Sequence, residues 1–282
     1  MSQLTRTFPT GRYSASMLTM FASLYSHRSL ILQLARRGVA GRYKGSLIGG
    51  GWSLISPLLL LGIYTFAFGV VLNVRSGDRL ETGIDSFAIF LFSGLAVHAL
   101  LAECINNAPR LIVTNASYVK KVVFPIEILA WVTLSSALFH LGISFLVLVG
   151  AQLFVNQSLS WTIILFPLIV APLLLFAVGL TWFFAALGVY VRDISQISGL
   201  ISTGLLFLAP VFYPLSRLPE SYQSLLYLNP LTFVIEEGRR VLLLGMLPDW
   251  VGLGLYTLAA LGMAQFGFWW FQRSRRGFSD VL

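Results

Sequence analysis

Charged side chains and cysteines are both scarce in this sequence. Only 11% of its 282 residues are Asp, Glu, Lys or Arg, whereas 57% are hydrophobic, and soluble domains carry about 25% charged residues. So few charges cannot cover a water-facing surface, which excludes an ordinary soluble domain and predicts a protein surrounded largely by lipid. The single cysteine, Cys104, excludes an intrachain disulfide.

Motifs for nucleotide binding and catalysis are missing too. The sequence has no G-x-x-x-x-G-K-[ST] phosphate loop, no H-E-x-x-H or paired-cysteine metal motif, and no G-x-S-x-G nucleophile elbow. It also lacks an Asp-Xaa-Asp pair that could hold a metal–nucleotide sugar. We therefore predict no catalytic residue, no metal site and no cofactor in this chain. A membrane enzyme of glycan synthesis, using a residue such as His98 or His140, is kept as an alternative.

The excess of basic residues indicates contact with anionic lipid. There are 19 Lys and Arg residues against 11 Asp and Glu, a formal net charge of +8. Because the basic residues stand beside hydrophobic runs, lipid headgroups and membrane topology explain them better than nucleic acid. Residues 1–23 lack the continuous apolar core of a signal peptide, so we expect the N-terminus to stay in the cytoplasm.

Hydrophobic runs predict an all-α integral membrane protein with six transmembrane helices. A helix needs roughly 20 apolar residues to cross about 30 Å of hydrocarbon, and only the fifth run is short. Most Lys and Arg residues fall before the first run, after the second and in the C-terminal tail, which predicts two cytoplasmic ends. The runs are Trp52–Leu72, Phe87 to about Cys104, Ile128–Phe154, Ile163–Val189, Ile197–Phe212 and Trp250–Phe271.

A segment that cannot cross the membrane precedes the first run. At 100° per residue, the stretch from Leu24 to Lys44 places an apolar stripe opposite a polar side. This pattern is typical of an amphipathic helix in the cytoplasmic interface. Its arginines could simply hold lipid phosphates, or some of them could bind an anionic headgroup that is itself transported. The apolar stripe is Leu24, Ile31, Leu34, Ala35 and Val39.

A second non-crossing segment lies between runs five and six. Pro210, Pro214 and Pro219 punctuate it, and its apolar pieces, Leu225–Ile235 and Val241–Leu247, are each too short to cross. Irregular or half-length segments survive at membrane depth only where protein or water covers them. We therefore predict two short re-entrant helices that dip back from the outer face.

The charged run between those apolar pieces can pair internally. At helical spacing, Glu236 can pair with Arg239 or Arg240, and Glu237 with Arg240. The run could serve only to neutralise charge, or it could act as a hinge or gate at the outer mouth.

Isolated polar residues within or beside the runs are also candidates. His98 and His140 lie inside runs two and three, where each could bond a neighbouring helix or have a functional role. Glu103 and Glu127 flank the connection between those runs, and we expect them to face water.

Short motifs, taken together and in order, resemble those of ABC-2 type polysaccharide exporters. The resemblance extends from about Ile31 to Phe271, and it is strongest to the membrane subunit of O-antigen exporters of the Wzm type. Ile126 stands where the family often has Arg, so no role for a positive charge there transfers. The matching strings are Arg42-Tyr43-Lys44-Gly45-Ser46, Gly49-Gly50-Gly51-Trp52 with Pro57, Asn115-Ala116, Val119-Lys120-Lys121, Phe124-Pro125, Arg192-Asp193-Ile194, Pro210-Val211-Phe212-Tyr213-Pro214 and Leu228-Asn229-Pro230-Leu231-Thr232.

This resemblance implies a transport subunit of the bacterial inner membrane. Two copies of the chain would form a homodimeric channel, and two separate ATPase subunits would bind ATP and Mg and hydrolyse ATP below it. The substrate would be a polysaccharide on an undecaprenyl diphosphate carrier, which includes lipopolysaccharide O antigen. Exporters of capsule, teichoic acid, drugs or small lipids are the alternatives within the family.

The same resemblance assigns roles to residues of one transmembrane domain, 1–282. Its parts are a cytoplasmic segment 1–51, spans one to five in 52–213, outer gate helices in 214–249, span six at 250–271 and a tail 272–282.

The candidate residues fall into four groups by expected role. Cations for the diphosphate would be Arg36, Arg37, Arg42 and Lys44. Channel aromatics would be Tyr64, Phe66, Phe207, Phe212 and Tyr213. The outer gate would use Asn229, Pro230, Glu236, Glu237, Arg239 and Arg240. Coupling to the ATPase would use Asn115, Tyr118, Lys120 and Lys121.

Overall fold

The computed structural model describes residues 15–71, 87–119 and 124–281, and no β-strand occurs among them. The predicted all-α class is therefore confirmed for the described chain. In chain order the helices are α1 (Met17–Ser26), α2 (Arg28–Arg42), α3 (Trp52–Tyr64), α4 (Phe87–Leu111), α5 (Ala116–Val119), α6 (Ile128–Asn156), α7 (Phe166–Tyr190), α8 (Ile194–Phe207), α9 (Glu220–Leu226), α10 (Pro230–Leu242), α11 (Trp250–Ser274) and α12 (Phe278–Val281).

Five helical stretches in the described residues are long and apolar enough to cross a membrane. They correspond to predicted spans one to four and six. The predicted fifth span corresponds to α8, whose 14 residues reach only about 21 Å at 1.5 Å per residue. The five stretches are Gly49–Phe68, Phe87–Leu111, Ile128–Val155, Trp161–Tyr190 and Trp250–Val281.

Two helix ends differ from the sequence prediction for identifiable reasons. The fifth run ends as a helix at Phe207 rather than Phe212, because Pro210 lacks the N–H that would continue the helical hydrogen bonds. The second run continues past Cys104 to Leu111. Glu103 interrupts the apolar pattern there, but it does not interrupt the helix, since its carboxylate is ion-paired inside the bundle.

Helix α7 lies at the centre of the bundle, packed against α4 and α11. Glycines allow both contacts. A Cβ on Gly267 of α11 would collide with the backbone of Gly179 on α7, and a Cβ on Gly188 of α7 would collide with the carbonyl of Pro109 on α4. The three helices therefore approach backbone to backbone, as small residues permit in membrane bundles.

The predicted amphipathic segment forms two helices, α1 and α2, which meet at His27. The apolar stripe of α2 packs on α6, with Ile31 and Ala35 buried and Leu24 and Leu34 against the same core. The stripe thus faces protein within the described structure.

The segment before α11 contains the predicted pair of short helices, α9 and α10. Asn229 caps α10, because its side-chain oxygen accepts the Leu231 N–H at 3.0 Å. The charged run from Glu236 to Arg240 lies inside α10. The helical spacing on which the predicted ion pairs depend is therefore present.

Helix α3 is the most exposed of the long apolar stretches. None of its apolar window is buried, whereas 72% of the α4 window is. It continues from Tyr64 into a π-helical turn, Thr65–Val71. The subunit thus leaves one complete apolar helix on its surface.

Candidate functional site

A polar cleft of about 420 Å³ opens between α2, α4 and α6. Each of the three helices contributes residues at helical spacing. Those from α2 are Gly38, Val39 and Arg42. Those from α6 are Val132, Thr133, Ser136 and His140. Those from α4 and the turn after it are Glu103, Asn106, Asn107, Arg110, Leu111 and Thr114.

Helix α4 carries most of the polar groups of this cleft on one stripe. Glu103, Asn106 and Arg110 follow one another at intervals of three or four residues, as does Thr114 in the turn after α4. Asn107 lies four residues after Glu103 and three before Arg110, so it shares the same helix face. Cys104, Ile105, Ala108 and Pro109, which lie between them, are buried in the bundle. Periodicity alone could have revealed this stripe, but the sequence interpretation treated Glu103 as the end of a span.

An ion-paired cluster closes one end of the cleft. Arg42 donates from Nη2 to Glu103 Oε1 at 2.7 Å, and His140 donates from Nδ1 to Glu103 Oε2 at 2.8 Å. The hydroxyl of Tyr43 lies 3.4 Å from the other nitrogen of His140. The Glu103 side chain is only 14% exposed, so the expectation that it faces water is wrong. The cluster ties the end of α2 to both α4 and α6.

Of the four cations expected to bind a diphosphate, Arg42 alone lines the cleft. Arg36, Arg37 and Lys44 are exposed. The structure therefore does not gather the four into one site. It places Arg42 beside three polar residues that the sequence interpretation did not select, Asn106, Asn107 and Arg110.

A second polar cluster surrounds Arg239 of α10, at the end of the bundle where α4 begins. Its guanidinium donates to the carbonyl oxygens of Pro210, Val211 and Phe90, and it lies 3.5 Å from the ring centroid of Phe90. Its side chain is only 4% exposed. Arg239 thus holds the non-helical segment after α8 against α4.

Both ion pairs proposed within the charged run are present. Nη1 of Arg239 lies 3.3 Å from Oε1 of Glu236, and Nη1 of Arg240 lies 3.6 Å from Oε1 of Glu237. Burial raises the pKa of the Glu236 carboxyl above its ordinary value, and the nearby Arg239 opposes that shift. Burial also lowers the pKa of Arg239 to about 10, so the guanidinium stays charged at neutral pH.

Helix α10 is also tied to its neighbours through its ends. Asn229 donates from Nδ2 to the Leu205 carbonyl of α8 at 2.8 Å. Glu237 accepts the Asp249 N–H at 2.8 Å, and Asp249 caps α11. Pro230 begins α10, and its carbonyl accepts a hydrogen bond from Tyr256 of α11. The gate candidates therefore form one connected cluster with the ends of α8 and α11.

The aromatic candidates form two groups. Phe207 and Phe212 stack with their ring centroids 5.6 Å apart, and the Tyr213 hydroxyl donates to the Phe207 carbonyl at 3.3 Å. The ring centroids of Tyr64 and Phe68 lie 6.4 Å apart. Phe66 and Phe207 are 60% and 62% exposed. Both groups thus present ring surface outside the bundle core.

The coupling candidates lie around the short helix α5. Asn115 donates from Nδ2 to the Leu111 carbonyl at 2.8 Å, which fixes the turn after α4. The ring of Tyr118 stacks on that of Phe124, with the two ring centroids 4.4 Å apart. Lys120 and Lys121 lie outside the described residues.

The connection into α6 is bound to the C-terminal part of the chain. Glu127 and Arg275 form an ion pair at 2.7 Å, each about 15% exposed, so the expectation that Glu127 faces water is wrong. Tyr190 donates to the Ser274 carbonyl at 2.7 Å, and Phe278 is fully buried beside Tyr190 and Phe271. We call Arg275–Val281 the C-terminal hook.

The two histidines have structural partners. His98 donates from Nε2 to the Ser202 carbonyl of α8 at 3.0 Å, which is the helix-bonding alternative. His140 belongs to the cluster of Arg42 and Glu103. Within the described residues, no three His, Cys, Asp or Glu side chains are grouped to hold a metal ion.

Comparison with known proteins gives a family match over most of the chain. The sequence model of the family described as ABC-2 type transporter matches residues 29–243. The chain is 29% identical over 235 residues to the O-antigen export system permease protein RfbA of Myxococcus xanthus, covering 83% of this chain and 87% of that protein.

Two further relatives match over similar lengths. The O-antigen export system permease protein RfbA of Klebsiella pneumoniae is 26% identical over 259 residues, which are 90% of this chain and 95% of the relative. The polysialic acid transport protein KpsM of Escherichia coli is 23% identical over 242 residues, which are 80% of this chain and 86% of the relative.

Proposed function

Since this chain belongs to the ABC-2 type transporter family, we propose that it is the membrane-spanning subunit of an ATP-driven polysaccharide exporter. The observation that carries the proposal is the near full-length similarity to permeases named for O-antigen export. The described helices support a transport role, because five of them are long and apolar enough to span a membrane. ATP would be hydrolysed on a separate subunit.

The proposed substrate is a polysaccharide on an undecaprenyl diphosphate carrier, with O antigen as the first candidate. Two O-antigen permeases are more similar to the chain than the polysialic acid transport protein is, at 29% and 26% identity against 23%. Capsule export is the second candidate, and the match to the polysialic acid transport protein favours it. Export of teichoic acid, drugs or small lipids remains the family alternative.

The proposed location is the bacterial inner membrane, with six spans and both ends cytoplasmic. The fifth span in this proposal is α8, which is supplemented by the non-helical segment that Arg239 holds against α4. Protein covers that segment and neighbouring α10, as non-spanning elements at membrane depth require. In this topology α9 and α10 are re-entrant elements at the outer face.

A homodimeric channel accounts for the exposed surfaces of α3 and α8. None of the apolar window of α3 is buried. One face of α8 exposes polar residues alongside apolar ones, including Gln196, Thr203 and Phe207. Polar groups that face hydrocarbon are costly, so such a face suits a hydrated lumen. The aromatic candidates at the ends of α3 and α8 would pack on sugar rings passing between two subunits.

The other candidate residues have proposed roles in the same mechanism. The four cations on and after α2 would meet the diphosphate, with Arg42 beside the cleft. The cluster around Arg239 would hold the outer gate. The turn at Asn115 and Tyr118 would contact the ATPase, together with Lys120 and Lys121.

Reconstitution with the partner ATPase tests the proposal. Proteoliposomes containing both subunits should transport undecaprenyl-diphosphate-linked polysaccharide only with ATP, and the substrate should stimulate ATP hydrolysis. The matched control is an ATPase in which the phosphate-loop lysine is replaced by alanine. Transport by the chain without the ATPase would contradict the proposal. Glycan-forming activity of the purified chain, lost in a His98 or His140 variant, would favour the membrane-enzyme alternative.

A further inference from the structure

The cleft between α2, α4 and α6 contains hydrogen-bond donors that no described residue satisfies. Asn106, Asn107 and Arg110 line the cleft and are exposed to it. Their side chains have no hydrogen bond or ion pair within the part of the chain that the structure describes. Two amides and a guanidinium are thus available to a ligand along about one turn of one helix.

The charge of the cleft favours an anion. Its walls carry two arginines, Arg42 and Arg110, and one carboxylate, Glu103. Both carboxylate oxygens of Glu103 are occupied, one by Arg42 and the other by His140. Among the residues that the structure describes, no carboxylate pairs with Arg110, so its positive charge stays available at the cleft.

The donors are also held in place before a ligand binds. On the opposite side of α4, Ala108 and Pro109 are buried, and the backbone of α7 packs against Pro109 at Gly188. This contact fixes the position of the α4 backbone, so binding would cost mainly side-chain rotamer entropy.

We propose that this cleft binds a phosphate-bearing headgroup, with Arg110 as the charged anchor and Asn106 and Asn107 as amide donors to the phosphate oxygens. Guanidinium groups form paired, charge-assisted hydrogen bonds with phosphate. The volume of about 420 Å³ is many times the space that one water molecule requires, so the cleft has room for a diphosphate. The hydroxyls of Ser136 and Thr114 line the remaining wall.

The proposal deepens the export function and rests on it for one point, the expectation that the phosphate belongs to a diphosphate carrier. The same chemistry could come from a bilayer lipid such as phosphatidylglycerol. The proposal places the phosphate-binding site on the side of α2 that faces α4, and not on the exposed face of α2 that carries Arg36 and Arg37. Arg36 and Arg37, which the proposed function also assigns to the diphosphate, then lie outside the cleft that holds the phosphate.

Binding measurements on the complex of this chain with its ATPase partner test the site. The probes are farnesyl diphosphate, inorganic diphosphate and short-chain phosphatidylglycerol, titrated by calorimetry into the purified complex. We expect farnesyl diphosphate to bind, and Arg110→Gln to weaken its affinity by at least about 10-fold, the loss expected for one charged hydrogen-bonding partner. Asn106→Ala and Asn107→Ala should each weaken it by about threefold.

Two further variants separate binding from folding and from general charge. Gly38 and Ser136 both line the cleft. A Cβ on Gly38 would lie 3.7 Å from the Ser136 hydroxyl oxygen. Gly38→Leu should therefore fill the cleft and abolish binding without changing its charge. The matched control is Arg276→Gln, which removes an exposed arginine far along the chain and should leave binding unchanged. All variants should elute and melt like the wild type.

Each result has a defined meaning. Binding of the two diphosphates without phosphatidylglycerol supports a carrier diphosphate. Equal binding of phosphatidylglycerol, lost in Arg110→Gln, supports a bilayer headgroup. Absence of binding by every probe, or unchanged affinity in both Arg110→Gln and Gly38→Leu, overturns the site. ATP-driven export is measured separately on the wild type, so export without cleft binding would overturn this site alone.

Discussion

Glu127 and Arg275 are 148 positions apart in the sequence, and their side chains form an ion pair at 2.7 Å. The pair joins the start of α6 to the C-terminal hook. The Glu127 carbonyl also accepts the indole N–H of Trp182 on α7 at 3.0 Å. Three distant parts of the chain therefore meet at one residue.

Removing one partner of this pair should destabilise the subunit. Arg275→Gln leaves a largely buried carboxylate at Glu127, and breaking a buried pair costs about 3 kcal/mol. We expect a lower midpoint in thermal unfolding of the detergent-solubilised protein, and a smaller effect in the double variant with Glu127→Gln, because the two changes share one interaction. Arg276→Gln, on the exposed neighbour, is the control. Equal midpoints for Arg275→Gln and Arg276→Gln would contradict the prediction.

Arg239 should be sensitive even to conservative replacement. Arg239→Lys keeps the charge, but one ammonium cannot reproduce the planar set of bonds to the carbonyls of Pro210, Val211 and Phe90. At least one buried carbonyl then loses its donor, at a cost of about 1–3 kcal/mol. We expect lower thermal stability and faster proteolysis after Phe207. Arg217→Gln, at an exposed site in the same region, should behave like the wild type, and a stable Arg239→Lys variant would exclude the anchoring role.

Two glycines on α11 should respond oppositely to alanine. Gly267 packs against the backbone of Gly179, so Gly267→Ala forces α7 and α11 apart and should cost about 1–3 kcal/mol. A Cβ on Gly262 would meet no atom within 4 Å beyond its chain neighbours and the backbone of its own helix, so Gly262→Ala should be neutral or slightly stabilising. Denaturation in mixed micelles measures both. A tolerated Gly267→Ala would mean that the helices can separate without loss.

Phe207 and Phe212 should affect transport more than stability. Their stacked rings lie at the end of α8, and Phe207 is largely exposed. If each ring contributes about 1 kcal/mol of contact to the passing sugar, as aromatic pairs do, each alanine variant should slow export about fivefold. ATP hydrolysis without substrate should not change.

The control for this pair is Phe154→Ala, because Phe154 is 87% exposed but lies at the end of α6, away from the proposed lumen. Transport rates in proteoliposomes, normalised to the amount of assembled complex, measure the effect. Equal slowing by Phe154→Ala and Phe207→Ala would remove the aromatic pair from the proposed path.

The sequence predicted the helices better than it predicted their polar contacts. Hydropathy located five of the long helices because a run of apolar residues is a local property. The pairs of Glu236 with Arg239 and Glu237 with Arg240 were also accessible, since helical spacing alone brings them together. Both pairs lie where that spacing places them.

Contacts between distant segments could not be predicted in this way. The carbonyls that accept from Arg239 belong to Phe90, Pro210 and Val211, and a carbonyl leaves no mark in the sequence. The partners of Glu103 come from α2 and α6, so its burial depends on how three helices pack. Both charged residues lie inside the protein, and for Glu103 the local pattern had predicted contact with water.

The space beside Arg239 has an evolutionary consequence. A Cβ on Gly94 would lie 2.9 Å from the Arg239 guanidinium, so the arginine occupies room that the glycine leaves empty. The two positions should therefore show epistasis: a larger residue at 94 is tolerated only after 239 has become shorter. Homologous sequences should then vary at these two positions together, although they lie 145 positions apart in the sequence.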